Sequence, residues 1–273
     1  IRGNILTGFP WNLIVYSLTN QIEILQVASI IGTYGLNILC VSLFTSPAIF
    51  ILRETKKEIL VFIFFILSPI ILYTIGTIKI KSFQKLDLLK NDYKVRAIGS
   101  TINLERFYGN TDTLAVIDEL IQISEPNLNE KTLFIWPEGI IPNIDQSGLR
   151  EFHFLFQEKF NENHLLGIGI KKKFYNSFSL YDHKLKLIDY YNKVNLVPFG
   201  EFLPMENILS SVGLKSLTNN YQSFDSGNKR KIILIDQNDI TLKILPLICY
   251  EIIYSGTIFN NYNFDYIINI SED

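Results

Sequence analysis

The sequence has few of the residues that build metal sites or disulfide frameworks. Its 273 residues include two cysteines and three histidines. Cys40 and Cys249 lie far apart in the chain, and neither belongs to a Cys-x-x-Cys pair or has a histidine at zinc-ligand spacing. The sequence therefore predicts no metal, no metal-ligating residue and no disulfide scaffold.

An excess of charge of either sign is also missing. There are 25 Lys and Arg residues against 27 Asp and Glu residues, for a net charge of -2. Proteins that bind DNA or RNA neutralise the phosphate backbone with a surplus of basic residues. A glycine-rich phosphate loop is lacking too, because the segment 167–173 has neither the spacing nor the following Ser or Thr. Nucleic acid is therefore not an expected partner.

Charged residues are absent from two long segments, 24–52 and 59–78. A helix needs about 20 predominantly apolar residues to cross a bilayer, so both segments are predicted to be transmembrane. Gly32 and Pro47 in the first segment favour close helix packing and a tilted or partly interfacial stretch. We therefore predict a membrane region over 1–78, and the alternative is a buried pair of core helices.

The remainder of the chain alternates between strand-like and helix-like patterns. The predicted strands are 93–100, 131–138, 164–170, 176–182, 186–194, 241–251 and 264–271, and the predicted helices are 112–124 and 148–163. This alternation predicts a layered α/β domain over 95–273, which a linker at 79–94 joins to the membrane region. Because the chain ends just after a strand-like run, we expect the domain to be incomplete.

Three chemically reactive side chains follow predicted strands. Glu138 comes after TLFIW, Lys193 after LIDYYN and Cys249 after KILPLI. Taken singly, they also fit a surface carboxylate, a solvated lysine and a small core residue. In α/β domains, however, sites assemble at the carboxyl ends of strands. Together a carboxylate, an ammonium and a thiol supply the base, cation and nucleophile of acyl transfer, so we predict these three as catalytic residues that need no cofactor.

Several sequence blocks resemble those of a known family. The blocks are WPEGIIP (136–142), YNSF (175–178), YNKVNLVPFGEFLP (191–204), FDSG (224–227), LICYE (247–251) and, in the membrane region, RGNILTGFPW (2–11). They are similar to the signature segments of bacterial apolipoprotein N-acyltransferases, the membrane branch of the nitrilase, or carbon-nitrogen hydrolase, superfamily. The resemblance implies a nitrilase-like α-β-β-α sandwich with a Glu-Lys-Cys triad, here truncated at its C-terminal end.

The resemblance also implies a reaction. An acyl chain would pass from a phospholipid, through a thioester on Cys249, to the N-terminal amine of the diacylglyceryl-cysteine of a bacterial lipoprotein. The expected partners are the phospholipid donor, the lipoprotein acceptor and the membrane, with the catalytic domain on the periplasmic side of the inner membrane. Glu201 resembles a second, supporting glutamate of the family. Tyr250 and Glu251 resemble site-lining positions, with plain packing as the alternative. Trp136 is a candidate for lining the acyl pocket, and the alternative is that it belongs to the core.

Three positions depart from the family pattern. Gly139 stands where Thr or Ser is usual, Asn195 where His is usual, and Glu272 where Asn is usual. None of them belongs to the triad, so they concern neighbouring substrate contacts. Two alternative functions stay open: a membrane-anchored nitrilase-type amidase that gives the acyl group to water, and a non-catalytic membrane interaction protein with a degenerate hydrolase domain.

The charge pattern around the two apolar segments predicts a topology that can be tested. Arg53, Lys56 and Lys57 crowd the short loop between them, whereas the basic residue before the first segment is Arg2 alone. By the positive-inside rule the loop is cytoplasmic and the α/β domain lies on the opposite side. A paired phosphatase and fluorescent-protein reporter placed within 53–58 should score as cytoplasmic, and one placed after residue 95 as periplasmic. The reverse pattern would overturn this orientation.

Overall fold

The computed structural model describes residues 13–85, 93–100, 102, 112–204, 223–237, 240–254 and 263–272. The chain divides into two units, Ile1–Lys90 and Asn91–Asp273. The block at 2–11 and residues 86–92 of the predicted linker lie outside the described residues. Each unit is described by itself below.

The described part of the first unit, residues 13–85, is helical. A 3₁₀ turn at Ile14–Leu18 and the short helix α1 (Ile22–Leu25) precede two long helices, α2 (Ala28–Leu52) and α3 (Lys56–Gln84). Both long helices have the length and apolar composition needed to cross a membrane. Many of their large apolar side chains are exposed, up to 77% at Leu52. Such surfaces suit lipid rather than water.

The two long helices differ in their bounds from the predicted segments. Helix α2 begins at Ala28 because the residues before it form the separate turn α1, and Gly32 interrupts its helical geometry with a φ of 72°. Helix α3 begins after Thr55, where a capping box forms: the Glu58 carboxylate accepts a hydrogen bond from the Thr55 backbone N–H at 2.8 Å. Helix α3 then continues past the predicted end to Gln84.

The second unit contains two β-sheets. The first has the strand order β1 (Lys94–Ala97), β2 (Thr132–Trp136), β3 (His164–Lys172), β4 (Tyr175–Asp182) and β5 (Leu187–Asn192); the second has β6 (Ile233–Gln237), β7 (Ile240–Ile248) and β8 (Tyr266–Ile270). The pairs β1–β2, β2–β3 and β7–β8 are parallel, and the other pairs are antiparallel. One α-helix, α4 (Thr113–Ser124), is described in this unit.

Alternate residues of β2 contribute to two different cores. Ile135 packs with Phe178 and with Ile244 of the second sheet, so the two sheets share an apolar core. Trp136 belongs instead to the core on the opposite face, together with Leu120 of α4. This is the period of two expected for a strand between two layers. The helix, sheet and sheet layers confirm the predicted α/β fold class, and the described residues include no α-helix after α4.

One prediction of secondary structure is wrong, and one strand was not predicted. The helix predicted over 148–163 is a 3₁₀ turn at Gly148–Leu155. Phe156, the residue after this turn, is fully buried and packs on Trp136 at 5.9 Å between ring centroids, so tertiary contacts rather than a helical period set its position. The strand β6 was not predicted, although Ile233 and Ile235 are fully buried in the core between the sheets.

Gly169 of β3 allows the end of β2 to approach closely. A Cβ atom at position 169 would lie 2.5 Å from the Cα of Glu138 and 2.6 Å from the carbonyl oxygen of Pro137. Backbone hydrogen bonds complete this contact: Gly139 donates to the Gly169 carbonyl at 3.0 Å, and Glu138 donates to the Ser271 carbonyl at 3.3 Å. The backbone of Glu138 is therefore held between β3 and the residue after β8.

Gly169→Ala should destabilise the second unit by about 1–3 kcal/mol, because the new methyl group overlaps backbone atoms that have no room to move. The corresponding fall in melting temperature is a few degrees, measured on the full chain in detergent. Gly148→Ala is the matched control, since its Cβ would meet nothing closer than 3.5 Å. Equal melting temperatures for the two variants would contradict this account.

Candidate active site

Glu138 lies where the chain leaves β2. It is 8% exposed. The next residue, Gly139, has a φ of 58°, a left-handed conformation that glycine adopts without strain. A glycine at this departing position therefore fits the turn that carries Glu138 away from the strand.

Lys193 follows β5 and is almost fully buried, with 1% of its surface exposed. Its Nζ lies 3.4 Å from Oε1 of Glu138 and 2.9 Å from both carboxylate oxygens of Glu201. Burial lowers the pKa of Lys193, but the carboxylates of Glu138 and Glu201 outweigh that effect, so that the pKa is raised overall. Lys193 is therefore a buried ammonium ion between two carboxylates.

Glu201 reaches Lys193 from a tight loop. The backbone N–H of Val197 donates to its Oε2 at 2.8 Å, and its own N–H donates to the Val197 carbonyl at 2.8 Å. Phe199 within this loop has a φ of 63°, which is uncommon for a bulky residue. The loop thus places the carboxylate of Glu201 beside the ammonium of Lys193.

Asn176 is a member of the cluster that sequence reasoning missed. Its Nδ2 donates to Oε1 of Glu138 at 2.5 Å and to Oε1 of Glu201 at 2.7 Å. Both amide hydrogens are therefore used to bridge two carboxylates that would otherwise repel each other. The signal was present, since Asn176 belongs to the YNSF block, but nothing local indicates where its side chain points.

Cys249 stands at the point where β7 turns into a 3₁₀ turn, Cys249–Ile253. Its φ is 54°, and its side chain is partly exposed. Residues held in such conformations cluster at functional sites. Burial, then the negative charge of Glu138, raise the pKa of Cys249 to about 11, while Lys193 acts in the opposite direction. At neutral pH the resting group is therefore a thiol whose ionisation depends on both neighbours.

Glu251 is fully buried, and its position is structural rather than open to a substrate. The hydroxyl of Tyr191 donates to its two oxygens at 2.8 and 2.9 Å. The backbone N–H groups of Val194, Asn195 and Ile248 donate at 2.9, 2.9 and 3.0 Å. This carboxylate therefore joins the segment after Lys193 to the strand end before Cys249.

The other two predicted site residues lie in different surroundings. Tyr250 is buried, and its hydroxyl lies 2.9 Å from that of Tyr254. Trp136 is fully buried on the α4 face of the first sheet, where its Nε1 donates to Ser124 Oγ at 2.9 Å. The structure therefore places Trp136 in the core, which is the alternative that the sequence left open, because its side chain follows strand alternation to the α4 face.

The structure brings four polar side chains into one cluster: Glu138, Asn176, Lys193 and Glu201. Cys249 is close enough for the charges of this cluster to alter its pKa. Glu272 is exposed. Within the described ranges, no group of three or more His, Cys, Asp or Glu residues could hold a metal ion. The arrangement offers a base, a buried cation and a thiol.

Comparison with known proteins gives matches in both halves of the chain. Residues 1–46 match the family model of the apolipoprotein N-acyltransferase N-terminal domain. The whole chain is 28% identical to the apolipoprotein N-acyltransferases of Rhodopseudomonas palustris and of Bradyrhizobium diazoefficiens, and it covers 54% of each. The chain thus spans about half the length of the curated relatives that it matches. These alignments confirm the predicted resemblance.

Solved structures with a partial likeness belong to the nitrilase superfamily. Nit3 of Saccharomyces cerevisiae is 16% identical with a TM-score of 0.31, covering 54% of each chain. XC1258 of Xanthomonas campestris, a CN-hydrolase superfamily protein, is 12% identical with a TM-score of 0.36, covering 65% of this chain and 64% of its own.

The raised pKa of Cys249 predicts a distinctive alkylation profile. We expect slow reaction with iodoacetamide at pH 7 and a rate that rises about tenfold per pH unit towards pH 10, because only the thiolate reacts. Glu138→Gln removes a charge that raises this pKa and should accelerate alkylation at pH 8. Lys193→Met removes the cation that lowers it and should slow the reaction.

The measurement uses a Cys40→Ala background, so that Cys249 is the one thiol scored. A plateau of the alkylation rate near pH 8, or equal rates for Glu138→Gln and Lys193→Met, would contradict the electrostatic account of this site.

Proposed function

We propose that this chain, which is similar over its full length to the apolipoprotein N-acyltransferases, carries out their acyl transfer. The reaction would move a fatty acyl chain from a phospholipid to the N-terminal amine of a lipoprotein's diacylglyceryl-cysteine. The observation that supports this most strongly is the buried contact of Lys193 with Glu138 and Glu201, beside a cysteine of positive φ. A surface role would require none of these features.

In the first half-reaction, Glu138 accepts the proton of the Cys249 thiol as sulfur attacks the ester carbonyl of the phospholipid. Lys193 stabilises the negative charge that develops on the carbonyl oxygen. When the tetrahedral intermediate collapses, Glu138 returns the proton to the departing alkoxide. The products are a lysophospholipid and a thioester on Cys249.

In the second half-reaction, the α-amino group of the lipoprotein attacks the thioester carbonyl. Glu138 accepts a proton from the attacking amine and delivers it to the leaving sulfur, so that an amide forms and the Cys249 thiol is restored. Lys193 again stabilises the oxyanion. The choice between an amine and water as the second nucleophile separates this transferase from the amidase alternative.

Asn176 and Glu201 hold the base, Glu138, and the cation, Lys193, in position. Asn176 donates to Glu138 at 2.5 Å, which holds its carboxylate in one orientation. Glu201 accepts from Lys193 at 2.9 Å and holds the ammonium in place. Because the resting thiol of Cys249 has a pKa of about 11, deprotonation would accompany attack on a bound ester rather than precede it.

The proposed substrates explain why the chain carries apolar helices. Both the donor and the acceptor bear acyl chains, and α2 and α3 could anchor the catalytic unit in the membrane that holds them. We propose that this membrane is the bacterial inner membrane, with the catalytic unit on the periplasmic side. Confinement to the bilayer surface limits the encounter of enzyme and lipid to two dimensions.

The mechanism predicts that phospholipid alone acylates Cys249, before any lipoprotein is added, because two lipid substrates share one nucleophile. A phospholipid with a radiolabelled acyl chain should yield a hydroxylamine-sensitive acyl-protein when mixed with the full-length protein in membranes. Cys249→Ala should abolish the label, and Cys249→Ser should reduce it severely. Lys193→Ala should slow labelling about a hundredfold or more, as for the loss of one oxyanion donor.

Cys40→Ala and Lys94→Ala serve as matched controls, since Cys40 lies in α2 and Lys94 forms an exposed ion pair with Glu130. Both should label like the unmodified protein. Thin-layer analysis after adding a diacylglyceryl peptide should show acylated peptide, and free fatty acid in its place would indicate the amidase. Full labelling of Cys249→Ala would show that the nucleophile is misassigned.

A further inference from the structure

A short segment, 226–230, runs beside the residues that carry Lys193. It contacts three successive residues: Gly227 N–H donates to the Lys193 carbonyl at 2.7 Å, Ser226 Oγ donates to the Val194 carbonyl at 2.6 Å, and Arg230 Nη2 donates to Asn195 Oδ1 at 2.6 Å. A Cβ atom at Gly227 would lie 2.3 Å from the Asn192 carbonyl oxygen, so the approach requires glycine. We call 226–230 the brace segment.

The buried carboxylate of Glu251 holds the same stretch from another direction. It accepts from the backbone N–H groups of Val194 and Asn195 at 2.9 Å. The guanidinium of Arg230 also faces this carboxylate, with 3.8 Å between Nη2 and Oε1. Asn195 is therefore bonded to Arg230 through its side chain and to Glu251 through its backbone.

Arg230 provides a positive charge beside the buried carboxylate of Glu251. The Glu251 side chain is fully buried, and that of Arg230 is 8% exposed. A buried carboxylate is costly unless a cation or a full set of donors compensates it, and losing one partner of such a pair is strongly unfavourable. Tyr191 and the backbone amides supply neutral donors, and Arg230 supplies the opposite charge. A planar guanidinium can serve two acceptors at once.

We propose that Arg230 is a positioning residue for Lys193: it compensates the charge of Glu251 and, through Asn195, keeps the backbone after β5 in the position from which the ammonium reaches the cluster. The inference rests on the proposed function for its catalytic meaning. The brace segment does not contact the reacting atoms itself and affects them only through the position of Lys193.

The test is a double-mutant cycle on the full chain in detergent, in the Cys40→Ala background. The readout is the rate of Cys249 alkylation by iodoacetamide at pH 8, which reports how well Lys193 favours the thiolate. Arg230→Met should slow alkylation about tenfold or more, since small displacements at such sites have large kinetic effects. Arg230→Lys retains the charge but lacks the planar fork that serves both acceptors, so it should keep part of the rate and lie between Arg230→Met and the unmodified residue.

In a Glu251→Gln background the carboxylate charge is gone and Arg230→Met loses only its bond to Asn195, so it should reduce the rate by a clearly smaller factor than in the Cys40→Ala background. Arg96→Met is the matched control, because Arg96 pairs with Glu125 at an exposed position, and it should react at the unmodified rate. If the fold-losses in rate of Arg230→Met and Glu251→Gln simply multiply in the double variant, the two residues act independently, and that result would overturn the proposal. So would a lower melting temperature of Arg230→Met with an unchanged alkylation rate.

If Arg230→Met does not fold, Asn195→Ala removes the acceptor of Arg230 and leaves the backbone bond to Glu251 in place. It should slow alkylation several-fold, and an unchanged rate would overturn the proposal. Alkylation requires no acyl donor. A chain that fails to transfer acyl groups but follows this cycle would therefore contradict the proposed function and leave the role of Arg230 standing.

Discussion

Lys193 is an ammonium ion removed from water and held between the carboxylates of Glu138 and Glu201, and the remainder of the site depends on that contact. A lysine this deeply buried would lose its charge without them. The two carboxylates in turn repel each other, and Asn176 relieves this by donating one amide hydrogen to each. Each member therefore needs the others, so the cluster forms as a whole.

A second buried carboxylate organises the backbone around this cluster. Glu251 accepts from Tyr191 and from three backbone N–H groups, which lie on both sides of the site. The strand end that carries Lys193 and the turn that carries Cys249 thus share one acceptor. Since a buried charge tolerates little displacement, this shared acceptor limits the relative movement of the two reactive groups.

Burial and the electrostatics of the cluster favour the protonated thiol of Cys249. Two carboxylates and one ammonium leave a net negative charge near Cys249, and together with burial this disfavours the thiolate. A resting thiol protects a partly exposed cysteine, because the thiolate is the form that oxidises and reacts with electrophiles. In the proposed reaction, attack on the ester would therefore require Glu138 and Lys193 to act together.

The sequence by itself determined the features that depend on local pattern. Charge-free runs identified α2 and α3, and the alternation of runs identified seven of the eight described strands and the residues that follow them. Their positions after strands β2 and β5 indicated that Glu138 and Lys193 share one edge of the sheet, and the 3.4 Å contact between them depends on the tertiary structure. Tertiary structure alone decided where side chains point. Trp136 faces α4, Asn176 bridges two glutamates, and Glu251 accepts hydrogen bonds from backbone N–H groups. Local periodicity does not specify these orientations, because each depends on partners 12 to 60 residues away in the sequence.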